Sequence, residues 1–182
     1  MSNKTKDFSM SPFRAIACGY RHSDLIRVAD MIANDKPWDE VIIVSDKQQG
    51  RVRVVKKPSE LPPIHSFHCT KRTLVIFDRC DLSVNADEMV VHDFSILGRM
   101  HGCSILFLEC GLFDIPKYVK PDILYLTAAP RSWKWIKMYL NISQATEGLA
   151  AGLFKIDLRQ RCRKIETIDA LTEEETKRIR RD

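Results

Sequence analysis

The chain has 182 residues, 45% hydrophobic and 29% charged, with 29 lysines and arginines against 24 aspartates and glutamates, a formal net charge of +5. That balance suits one globular domain with a sizeable core, and no apolar run approaches the ~20 residues that a bilayer-spanning helix needs. The six cysteines are scattered without a CxxC, which excludes a disulfide-framework scaffold and predicts buried free thiols.

The N-terminal "MSNKTKDFSM" has no apolar core, so the sequence predicts no secretory leader and an intracellular protein. Phe13 to Cys18 ("FRAIAC") predicts a strand. Ser23 to Asn34 predicts a helix with Leu25, Val28, Ala29 and Ile32 on one face and Ser23 as its cap. Glu40 to Ser45 predicts a second strand. The polar, proline-bearing segment from Lys47 to Lys71 has room for one short strand at "VRVV". Thr73 to Asp78 ("TLVIFD") is apolar on both faces, as a central parallel strand is. Met89 to Met100 predicts a helix whose inner face is Met89, Val90, Phe94, Leu97 and Met100, with Asn85, Asp87 and Glu88 suiting its start. Ser104 to Glu109 and Asp122 to Thr127 predict further strands, Ser132 to Leu140 a helix, and Leu153 to Leu158 with Arg163 to Ile168 a terminal hairpin.

Strands alternating with helices imply an α/β fold, a mainly parallel sheet flanked by helices with a small C-terminal hairpin. Residues 1–171 form one domain in this reading, and 172–182 a charged helix or tail. In such sheets ligands bind beyond the carboxyl ends of the strands. Three places qualify: the turn after Cys18, "FDRCD" after the buried strand, and "ECG" after Leu108. Positive charge gathers at Arg51 to Lys57, Arg131 to Lys137 and Lys177 to Arg181, which permits an acidic partner such as nucleic acid.

The stretch "TLVIFDRCDLS…FSILGRMHGCSILFLECGLFDIPKYVKPDILYL" resembles the core of the viral genome-packaging ATPases of large DNA viruses, the pox- and iridovirus-type members of the HerA/FtsK P-loop superfamily. "MSPFRAIACG" resembles the strand leading into the phosphate loop, "PWDEVIIVS" the next strand and "GLFKIDLRQRCRKI" the closing one. The resemblance spans roughly Met10 to Ile168 and implies a RecA-like P-loop NTPase fold. It places Asp78 at the magnesium-holding acid, Glu109 and Cys110 at the polar sensor, and Arg99 at an arginine that in ring-forming relatives reaches a neighbouring subunit's phosphates.

The chain departs from that pattern where nucleotide chemistry is concentrated. In place of GxxxxGKS/T stands Gly19-Tyr20-Arg21-His22-Ser23, with no lysine to add its point charge. The second of the paired acids is replaced by Arg79, which removes the group that would activate water. If a catalytic set survives it is Asp78, Glu109 and Arg99, with Gly19, Arg21, His22 and Ser23 at the degenerate phosphate-loop position. The expectation is an eroded site holding no cofactor, ATP and magnesium being implied only if it is still active.

Two further groups stand out. His65, His68 and Cys69 lie together, but their spacing matches no familiar zinc module. "RSWKWIKMY" interleaves Arg131, Lys134 and Lys137 with aromatics, of which Trp135 falls off the apolar stripe, a pattern able to stack on bases and hold phosphates. The resemblance therefore implies a protein of genome encapsidation or virion assembly, in the host cytoplasm or the virion. Its partners would be DNA, a capsid or packaging protein, or further copies of itself, without membrane insertion. An active, divergent DNA-translocating ATPase and a nucleic-acid-binding module that has lost nucleotide are the alternatives.

Overall fold

The computed structural model describes residues 11–19, 21–46, 53–111, 115–128, 152–159 and 165–170. Among the described residues eight strands form one sheet: β1 (Arg14–Cys18), β2 (Glu40–Val44), β3 (Arg53–Val55), β4 (Thr73–Asp78), β5 (Cys103–Glu109), β6 (Ile123–Ala128), β7 (Gly152–Asp157) and β8 (Ile165–Ala170). Their spatial order is β3-β2-β4-β5-β1-β6-β7-β8. Neighbours from β3 through β6 run parallel, and β7 and β8 join antiparallel as the expected hairpin.

The sheet is the middle of three layers, and strand alternation assigns each side chain to one of two cores. Ile16, Val75, Phe77, Ile105 and Phe107 face one core, closed by Val91 and Phe94 of α2 (Asn85–Leu97) and by Leu61 and Ile64. Ala15, Ala17, Leu74, Ile76, Leu106 and Leu108 face the other, closed by Leu25, Val28, Ala29 and Ile32 of α1 (His22–Asp35). β4 is buried along its whole length, Thr73 and Asp78 included, as its apolar pattern on both faces predicts.

Two expectations need correction. Ser23 does not cap α1. The cap position is Arg21, in extended conformation and with no side-chain cap bond; its carbonyl accepts the Asp24 and Leu25 N–H groups, and its guanidinium lies 3.6 Å from the Asp24 carboxylate. Ser23 is already helical and exposed. The inner face of α2 is also out of phase with the expectation. Asp87, Val91, Phe94 and Ser95 are buried, whereas Met89 and Met100 are 59% and 71% exposed. Asp87 is turned inward because it accepts the Ser59 N–H at 2.8 Å, and Ser95 because its hydroxyl returns to the Val91 carbonyl. A tighter turn, Gly98–His101, then rotates Met100 off the helix face. The proposed helix at Ser132 to Leu140 and the tail 172–182 lie outside the described residues.

Candidate functional site at the carboxyl edge of the sheet

β5 lies between β4 and β1, so the ends of all three strands meet at one edge. The register sets Asp78 beside Leu108 and Glu109 beside Cys18. The ladders run one step past the strands, with Arg79 N–H donating to the Leu108 carbonyl at 3.0 Å and Gly19 N–H to the Glu109 carbonyl at 3.3 Å. Asp78 and Glu109 therefore end adjacent strands at the same edge, the first buried and the second half-buried.

The Asp78 side chain is 2% exposed, and both its oxygens are engaged. His22 Nε2 lies 2.9 Å from Oδ1 and 3.1 Å from Oδ2. The Ser45 hydroxyl donates to Oδ2 at 3.2 Å, and the Arg79 Nε–H to Oδ1 at 3.4 Å. A carboxylate accepts, so the contact is a hydrogen bond in the His22 tautomer that carries the proton on Nε2. The contact has a simple origin: α1 opens directly after the β1 turn and passes over the end of β5. Its first residue thereby reaches a carboxylate one strand beyond.

Arg79 is the described non-glycine residue with positive φ, at 49°. A side chain in the left-handed region costs energy that the surroundings must hold in place. Here the backbone N–H bond to β5 and the guanidinium contact with Asp78 do so. Beyond it, Asp81 accepts the Ser83 N–H at 2.9 Å, which holds its carboxyl below the ordinary range. Burial, followed by the charges of Glu109, Asp78 and Asp87, pushes the Cys80 thiol up to about 12.

β1 ends at Cys18 and α1 begins at His22, three residues apart in sequence. A Cβ on Gly19 would meet Thr127 Oγ1 of β6 at 3.0 Å, so this glycine serves close strand approach. Of the residues expected at the phosphate-loop position, His22 meets a carboxylate and Arg21 lies by Asp24. Arg99 is not brought to this edge. It precedes β5 at the opposite, amino end of the strands and pairs with Asp122, as does Arg14.

His65, His68 and Cys69 are exposed in the segment before β4, where His68 Nδ1 meets the Thr70 hydroxyl. Among the described residues no group of three or more metal-ligating side chains forms. Arg131, Lys134, Trp135 and Lys137 lie outside the described residues. Sequence reasoning missed Ser45, although "VIIVS" carries the same signal as Asp78, a polar residue closing an apolar strand. It also treated Arg79 only as a lost acid.

No family model and no curated protein matches the chain in sequence. Solved structures match it in three dimensions, two of them as follows. The DNA-packaging ATPase B204 of Sulfolobus Turreted Icosahedral Virus does so with a TM-score of 0.56 at 14% identity, over 90% of this chain and 100% of that one. The genome packaging NTPase B204 of Sulfolobus turreted icosahedral virus 2, in complex with AMPPCP, gives 0.53 at 14% identity, over 90% and 99%. The chain is thus built on the fold of these viral genome-packaging ATPases.

Proposed function

We propose that this chain is a viral packaging-ATPase-like protein whose nucleotide site is eroded, and that it acts in genome encapsidation or virion assembly by binding DNA or an assembly partner. The observation that carries the reading is the engagement of Asp78. In a nucleotide hydrolase an acid at the end of such a strand holds magnesium, and catalysis rests on positioning and charge stabilisation around the phosphates. Magnesium demands near-octahedral oxygen ligands and keeps several waters. Here the carboxylate is buried under an imidazole, a hydroxyl and a guanidinium. The residues present do not fit a magnesium–nucleotide complex: only three residues of sequence separate β1 from α1, the loop lysine is missing, and Arg79 stands where the water-activating acid belongs. Sites of action in the host cytoplasm or the virion, and assembly with further copies, belong to the same proposal.

An active divergent ATPase is the second reading, favoured by Asp78 and Glu109 ending adjacent strands at one edge. Calorimetric titration with magnesium–ATP separates the two. The eroded-site reading expects no magnesium-dependent ATP binding, no hydrolysis, and salt-sensitive DNA affinity lost on replacing Arg131, Lys134 and Lys137 by alanine. Tight magnesium-dependent binding that disappears in Asp78→Ala would overturn it in favour of the active enzyme.

A further inference from the structure

The carboxyl edge holds a second feature, which shares Ser45, Asp78 and Arg79 with the Asp78 cluster. A cavity of about 290 Å³ opens between the ends of β2, β3 and β4, on the side of β4 away from β1. Ser45 and Asp46 enter it from β2, Lys56 and Lys57 from β3, and Arg79 and Asp81 from β4.

The cations sit on a braced backbone. Lys56 N–H donates to the Glu60 carboxylate at 3.0 Å, and Glu60 N–H returns to the Lys57 carbonyl at 3.1 Å. Buried Pro58 opens the turn Pro58–Glu60, and the Ser59 N–H bond to Asp87 fastens that turn to α2. β3 is only three residues long, and its carboxyl end delivers these two lysines to the ligand-binding edge. Arg79 is held in its left-handed conformation on the facing wall. Three of the four lining carboxylates already have donors: Asp78 in its cluster, Asp87 from Ser59, and Asp81 from Ser83. Asp46 and Asp81 are exposed.

We propose that this cavity binds a phosphate group carried by a ligand of mononucleotide size. Lys56, Lys57 and Arg79 come from two different strand ends and are donors only. Three such groups match the three oxygens of a phosphate better than the two of a carboxylate. Asp46 and the second oxygen of Asp81, whose first accepts the Ser83 N–H, take hydroxyl or amino donors from the rest of the ligand. The volume lies close to the lower end of the ~300–1,000 Å³ of small-molecule pockets, a size that suits a mononucleotide. This site needs no phosphate loop and no magnesium, so it stands apart from the eroded-site reading.

The test is calorimetry on the full chain in magnesium-free buffer, with AMP and a short 5′-phosphorylated single-stranded oligonucleotide as separate probes. AMP binding, weakened about tenfold or more in Lys56→Glu and in Lys57→Glu and unchanged in Lys71→Glu, is the expected result. Oligonucleotide binding alone with the same dependence on Lys56 and Lys57 also supports the site, and assigns the phosphate to a nucleic-acid 5′ end. Lys56 and Lys57 are exposed, so thermal melting of the variants should match the parent chain. Binding of neither probe, or binding indifferent to both lysine variants, would overturn the proposal.

Discussion

Asp78 shows how one position changes its chemistry through its neighbours. The residue type and its place at the end of an apolar strand point to a metal-holding acid, and both are legible in the sequence. The four contacts that engage it come from three separate segments, around residues 22, 45 and 79, and no periodicity links them. Burial and neighbouring carboxylates set the reactivity of two thiols at opposite ends of the sheet. Cys80 is pushed up to about 12 by burial and then by nearby carboxylates, and Cys103 to about 12 by burial and then by Glu40. The thiolate is the nucleophile, so at pH 8 only about one in ten thousand of these groups is reactive. In the native protein, iodoacetamide at pH 8 should label the exposed Cys69 and Cys110 well before Cys80 and Cys103. Peptide mass spectrometry reads the order, and early modification of Cys80 would contradict the burial described here.

Among the elements, α1 and α2 differ in how far their patterns can be trusted. Leu25, Val28, Ala29 and Ile32 are all apolar and all buried, so the face of α1 follows from its period. In α2 two of the buried residues, Asp87 and Ser95, are polar, while Met89 and Ile96 are exposed at 59% and 52%. Buried polar groups with specific partners hide the phase of a helix from any reading that equates apolar with inside. The transition from α2 into β5 depends on Gly102, at φ 72°, whose added Cβ would collide with the Lys71 carbonyl. Gly102→Ala would combine left-handed strain with that clash and should destabilise the fold by about 2–4 kcal/mol, seen as a lower melting temperature. By contrast, Gly98→Ala meets Ile105 Cδ1 at 3.2 Å, the end of a flexible side chain, and should cost less.

For the molecule as a whole, the alternation of strands and helices predicts a parallel sheet, and the hairpin of β7 and β8 follows from two adjacent β-rich runs. Strand order does not follow, because it is decided by which crossovers bury which faces. The centre of the sheet is assembled from distant parts of the chain. Phe13 N–H donates to the Ser104 hydroxyl across 91 residues, and Arg14 N–H to the Asp122 carboxylate across 108. A chain truncated after His101 retains β1 but lacks both of its neighbours, β5 and β6. Hydrogen exchange should then find no protection in Arg14–Cys18, whereas in the full chain those amides should be among the slowest to exchange.

That placement of β1 bears on how the protein is made. A ribosome releases β1 early, yet its partners emerge about 90 residues later, which at roughly 5–20 residues per second is a wait of several seconds. During that interval the run Ala15-Ile16-Ala17-Cys18 is an unpaired apolar strand open to any other edge. The part of the molecule on which its candidate site is framed is therefore also its greatest exposure to misassembly at birth, and nascent-chain crosslinking from this segment would find chaperones until β5 has cleared the exit tunnel.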